Sequence, residues 1–169
     1  MKKQLLIFVI VLLAALVAAI PAFADPTGNS VHVGGPDACV GWGLSPGCDA
    51  NFSLVAIEHQ DGRVTGHYTD QFGGGYGGFH ANIDCLYVEG NQAWVSGWVT
   101  SETFSGDGSF VGEPVSARVK DNGKSANDPP DQISFSHIGA DGGDHLHGTC
   151  DEQPAYELND MPQGQVKVR

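Results

Sequence analysis

From Asn51 onward, apolar residues recur at every second position, and over no dozen residues do they recur at i, i+3, i+4 and i+7. Successive side chains on a strand point to opposite faces, so this period specifies half-buried strands rather than amphipathic helices. Phe52, Leu54 and Ala56 alternate with Ser53, Val55 and Ile57, which puts apolar groups on both faces of the first strand. Gln60-Asp61-Gly62 then predicts a hairpin turn before a strand over residues 63–69. A longer strand over 79–88 sets Phe79, Ala81, Ile83, Cys85 and Tyr87 on one face. Glu89-Gly90-Asn91 turns the chain into 93–100, where Trp94 and Trp98 share a face and are expected in the core. Val115, Ala117 and Val119 line another strand; Ile133, Phe135 and His137 alternate with Ser134 and Ser136; Val166 and Val168 mark the last. The 24 glycines, none of them before residue 25, disfavour helix throughout. The expected fold is an all-β antiparallel sandwich or barrel of about seven to eight short strands, stabilised by disulfides.

The first 24 residues follow a different logic. Lys2 and Lys3 precede an apolar run over 5–20, and Ala22-Phe23-Ala24 forms an A-x-A cleavage site. This is the pattern of a secretory signal peptide cut before Asp25. The run has 16 residues, short of the roughly 20 that a spanning helix needs. Residues 25–50, rich in Gly and Pro, read as an N-terminal segment, and 51–169 as the β domain. Loss of the two leader lysines takes the net charge from −12 to −14. Such a surface repels nucleic acid and anionic lipid, both of which require Lys/Arg clusters, and favours cations or basic partners.

Cys39, Cys48, Cys85 and Cys150 are an even set behind an export signal, the arithmetic of two disulfides. Three pairings are possible. Cys39–Cys48, flanking a loop of glycines and Pro46, with Cys85–Cys150 is the expected one.

Three motifs carry a resemblance. Gly90–Gly97 reads G-N-x-A-W-V-x-G, Asp121–Gly123 reads D-N-G, and Asp131–Phe135 reads D-x-I-S-F. In this order they resemble a group of small secreted bacterial proteins and, more loosely, the post-COAP type extracellular β domain. The likeness spans about residues 51–169. It implies an extracellular β domain and carries over no catalytic residue.

Candidate chemistry concentrates in two stretches. In GADGGDHLHGTC, residues 139–150, His145 and His147 would project from one side of a strand, with Asp144 and Asp141 just upstream, a geometry suited to zinc. Exposed strand histidines are the plainer reading. In KDNGKSANDPPDQISFS, residues 120–136, Asp121, Asp128 and Asp131 are oxygen donors for calcium if the loop folds back on itself. The EF-hand spacing is absent, and capping of the loop's own amides by these carboxylates is the competing expectation. A literal G-x-G-x-x-G from Gly73 to Gly78 precedes a strand instead of a helix, so it is not a dinucleotide fingerprint. That loop offers Tyr76, and the disulfide-flanked loop offers Trp42, as exposed aromatics for a ligand. No G-x-S-x-G nucleophile motif occurs.

The function expected is that of a secreted, non-enzymatic domain binding an extracellular protein or carbohydrate, with no cofactor. Two alternatives are a small metal-dependent hydrolase built on His145 and His147, and a calcium-stabilised adhesion module.

Overall fold

The computed structural model describes residues 28–36, 51–106, 108–125, 127–139, 150–161 and 163–169. The stretch read above as a signal peptide, and Cys39, Cys48, Trp42, Asp141, Asp144, His145 and His147, lie outside these residues. The described chain is all-β, and none of its helices is long and apolar enough to cross a membrane.

Ten strands form among the described residues: β1 (Ser30–Pro36), β2 (Asn51–Glu58), β3 (Val64–Gln71), β4 (Gly78–Glu89), β5 (Gln92–Glu102), β6 (Pro114–Lys120), β7 (Asp131–Ile133), β8 (His137–Ile138), β9 (Asn159–Met161) and β10 (Gln165–Val168). The surplus over the expected number comes from short pieces beyond β6 and from β1. The latter lies within the N-terminal segment 25–50 and pairs on both sides, with β2 and with β10. Every pairing is antiparallel, and the sheet runs β10-β1-β2-β3-β4-β5-β6-β7-β9, with β8 continuing the line of β7 along β6. Gly90 and Asn91 close the β4–β5 hairpin as a two-residue turn; Gly90, at φ 61°, occupies the position where a side chain is strained.

The sheet curls into a nearly closed barrel around one core. Val31, Leu54, Tyr68, Phe79, Ile83, Val95, Val99, Val115 and Val119 fill it, all at most a few per cent exposed. Three irregularities bend the strands and reset which side chains face inward. On β4, Ile83 pairs with Gly97 and Cys85 with Ser96, so Asp84 is an inserted residue. Beyond it Leu86 and Val88 pack on the core. The expectation that Cys85 and Tyr87 continue the face of Phe79 is therefore overturned, because a bulge shifts the alternation by one. At Gly97, opposite this bulge, a Cβ would overlap the Asn82 carbonyl oxygen. On β5, Thr100 is inserted between Val99, opposite Ala81, and Ser101, opposite His80. Between β7 and β8, Ser134–Ser136 lie across from only Ala117 and Arg118, so Ile138 and not His137 joins the core.

Outside the barrel, a strap over residues 150–156 crosses β4, β5 and β6. The Cys85–Cys150 disulfide anchors one end, as expected. Trp94 donates from Nε1 to the Pro154 carbonyl at 3.0 Å, and the Arg118 guanidinium sits 5.2 Å over the indole while donating to the Tyr156 carbonyl. Tyr156 stacks on His137 with ring centroids 3.7 Å apart, and its hydroxyl meets Ser116 Oγ at 2.7 Å. Trp94 is thus buried under the strap and not inside the barrel. Trp98, expected in the core, is 48% exposed on the outer face.

Candidate functional site

The sheet's two outer strands, β9 and β10, are consecutive in the chain, and the remaining gap lies between β10 and the β6–β7 side. On β10 the amides of Val166 and Val168 point away from β1, toward that gap. Val166 donates to Asp131 Oδ2 at 2.7 Å and Val168 to Asp121 Oδ2 at 3.2 Å. Two side-chain carboxylates thereby stand in for a ladder and hold the seam. Their second oxygens work locally: Asn122 N donates to Asp131 Oδ1 at 2.8 Å, and Gly123 N to Asp121 Oδ1 at 3.0 Å. Asp128 accepts from Ser125 N at 2.7 Å. Each of the three acids considered for calcium therefore receives backbone amides. Charge-assisted bonds of this kind are about twice as strong as neutral ones. Among the described residues, the grouping of three metal-ligand types is Cys85, Cys150 and Asp151, where both sulfurs are spent in the disulfide.

The opposite end of the barrel holds a cavity of about 290 Å³. It is built by the ends of β2 and β3, the connection after β5, and the bulge between β7 and β8. Along β3 the alternation turns Val64, Gly66, Tyr68 and Asp70 inward, and the last two reach the cavity wall. Asp70 is only 5% exposed. Its Oδ2 accepts from Ser136 Oγ at 2.9 Å and from Tyr68 Oη at 3.3 Å. Ser136 comes from the β7–β8 bulge, so the irregularity that disturbs the core pattern is also what delivers a hydroxyl to the acid.

The remaining wall is apolar: Phe52, Phe72, Phe110, Phe135, Ile133 and Ile138. Tyr68 meets Phe79 edge to face at 5.2 Å, and Phe72 meets Phe104 and Phe110 in the same manner at 5.8 and 6.3 Å. Such contacts favour the ring-edge geometry seen here and give the wall a fixed shape. The Thr100 insertion turns Glu102 to the face of Phe79, its cross-strand neighbour. There Glu102 accepts from Phe110 N at 2.7 Å and from Ser109 Oγ, fixing Phe110 over the cavity.

Of the aromatics singled out from the sequence, Tyr76 lies on the connection from β3 to β4 that also carries Phe72, and is 61% exposed. Its carbonyl accepts from Ser105 N at 3.1 Å, tying that connection to the one after β5. Phe72 and Phe79, the aromatics on either side of it in the chain, pack against the core. Sequence reasoning missed Asp70 altogether. The available signal was its even spacing from Val64 and Tyr68, which puts a carboxylate on the core face of a strand. Chemically, the lining joins apolar walls to one acid and the hydroxyls of Tyr68 and Ser136, while the Ser134 hydroxyl is bonded to the Arg118 amide and the Phe135 carbonyl. That combination suits recognition of a small molecule, with the polar groups fixing its orientation.

Comparison with protein-family models, curated proteins and solved structures yields no match.

Proposed function

We propose that this chain is a secreted, non-enzymatic binding domain whose ligand seat is the cavity at the end of the barrel. One observation carries the reading: a 290 Å³ cavity walled by phenylalanines around a carboxylate. Pockets of roughly this size enclose small molecules, and few apolar lumens in a barrel this small remain unfilled by side chains. Export is supported by the leader pattern and by the Cys85–Cys150 disulfide, a bond that persists in oxidising compartments. The resemblance to secreted β domains points the same way.

A neutral naphthyl fluorophore tests the seat. It should bind saturably and brighten, and Ile138→Trp, which fills the cavity from its wall, should abolish the signal. Binding that is absent, or unchanged by Ile138→Trp, removes the cavity as the site. Export is tested by intact mass: material recovered outside the cytoplasm should begin at Asp25.

A further inference from the structure

We propose that the ligand is an uncharged hydrocarbon ring compound, aromatic or alicyclic; this rests on the cavity being the ligand seat. At interior packing density, the 290 Å³ available houses about ten to fifteen non-hydrogen atoms. The chemistry follows from which polar groups of the wall are already engaged. Tyr68 and Ser136 both donate to Asp70 Oδ2. The Ser134 hydroxyl donates to the Phe135 carbonyl and accepts from the Arg118 amide. A polar ligand would have to displace one of these bonds, so the loss of its own water would go largely uncompensated. Sugars, with many hydroxyls to strip, are disfavoured most. An anion finds no Lys, Arg or His among the described residues that line the cavity. An ammonium brings three N–H donors to a wall whose one acid already accepts two hydroxyls.

The apolar part of the wall favours a ring over an open chain. Phe52, Phe72, Phe110 and Phe135 come from four separate places in the chain and surround one space. Phe72 meets Phe110 edge to face at 6.3 Å, and Phe104 backs Phe110 at 4.8 Å. A ring ligand can enter the same edge-to-face arrangement. Glu102 accepts from the Phe110 amide, so this side of the wall is shaped without help from a ligand. A compact ring also surrenders fewer rotatable bonds on binding than a chain of equal size. The Tyr68–Asp70–Ser136 cluster, bonded to itself, confines the apolar body to the phenylalanine side and so sets its orientation.

Four compounds of similar shape separate the possibilities: propylbenzene, 2-phenylethanol, phenethylamine and 3-phenylpropionate, each used to displace the neutral naphthyl fluorophore from the mature protein at physiological salt. Propylbenzene should compete best, the alcohol about tenfold less well and the two ions more weakly still, since each polar group leaves water without a new partner. Ile138→Trp should abolish binding of the fluorophore and of propylbenzene alike. Phe110→Ala, which takes one ring from the wall and alters no strand, should weaken both several-fold. It keeps the cavity open to test should the Ile138 variant fail to fold. Competition by the alcohol, the amine or the carboxylate that equals or exceeds that of propylbenzene overturns the hydrocarbon assignment but keeps the cavity as a seat. Propylbenzene binding that neither substitution alters belongs to the open surface and overturns the proposal. If the fluorophore itself does not bind, the seat is lost and the ring compound with it.

Discussion

Asp131 shows how much one inward-facing acid does. Only 7% exposed, it accepts amides from Asn122 at 2.8 Å and Val166 at 2.7 Å, joining the 121–131 connection to the last strand. Asp131→Asn keeps the shape but turns one acceptor into a donor that faces an N–H. Leaving a buried donor unmet, and losing the charge assistance, should cost about 2–3 kcal/mol. Urea denaturation in chelator and again in millimolar calcium should give the same loss. A loss that appears only when calcium is present would instead make the loop a metal site. Asp121 and Asp131 stand at the head of two of the motifs that carry the resemblance to secreted β domains, and holding the seam is a structural reason for an acid at both places.

At the level of elements, the outer strap is the part whose stability depends most on conditions. The Cys85–Cys150 bridge spans 65 residues, and closing a loop of that length restricts the unfolded chain by about 4 kcal/mol in the chain-entropy model. Replacing both cysteines with alanine should lower stability by a few kcal/mol. It should also red-shift tryptophan emission, since Trp94 is covered by the strap that the bridge anchors. Emission unchanged on loss of the bridge would mean that the strap holds through Tyr156 and Arg118 alone. Burial beneath the strap pulls the His137 pKa below 6.5 and pushes Tyr156 above 10.0. His137 therefore stacks on Tyr156 as a neutral ring. Its folded pKa is depressed, so the unfolded chain takes up the proton first as pH falls. The contribution is complete above about pH 6.5 and is lost progressively below it. Denaturation midpoints should fall between about pH 7.5 and about pH 5.5, and His137→Phe should show a smaller fall. Equal falls in both proteins would place the pH response elsewhere.

For the whole molecule, charge and closure act together. A chain with a net charge of −12 repels itself in the compact state, so screening should stabilise it. Its melting temperature should rise with sodium chloride, and calcium and magnesium at matched ionic strength should raise it equally. A calcium-selective rise of several degrees that Asp131→Asn abolishes would favour a calcium-stabilised module over the binding domain proposed here. The barrel also has one vulnerable line, the seam between β10 and the β6–β7 side, held by two carboxylates where the other neighbouring strands are held by ladders.

The sequence alone determined the class of fold, the places of most strands and turns, and that the cysteines pair, with Cys85–Cys150 favoured among the possible bridges. These depend on local matters: alternation along a strand, glycine where φ is positive, an even count of thiols. It also allowed for acids that cap their own loop, as Asp121 and Asp131 in part do. The phase of the side chains beyond each bulge was decided only in the folded molecule. An inserted residue at Asp84, Thr100 or Ser134–Ser136 is defined by the strand across from it, and no alternation within one strand can reveal it. That is why Cys85, Tyr87 and His137 were placed on the wrong face; Trp98 does share a face with Trp94, but that face is the outer one, since Ala93, Val95 and Val99 are the residues turned to the core. Closure, too, was decided in three dimensions, since the gap between β10 and the β6–β7 side is the sum of twist and stagger over the whole sheet. The cavity is its consequence. Asp70 and Tyr68 share β3, but Ser136 comes from a distant part of the chain, and only the curvature imposed by the bulges brings their oxygens together.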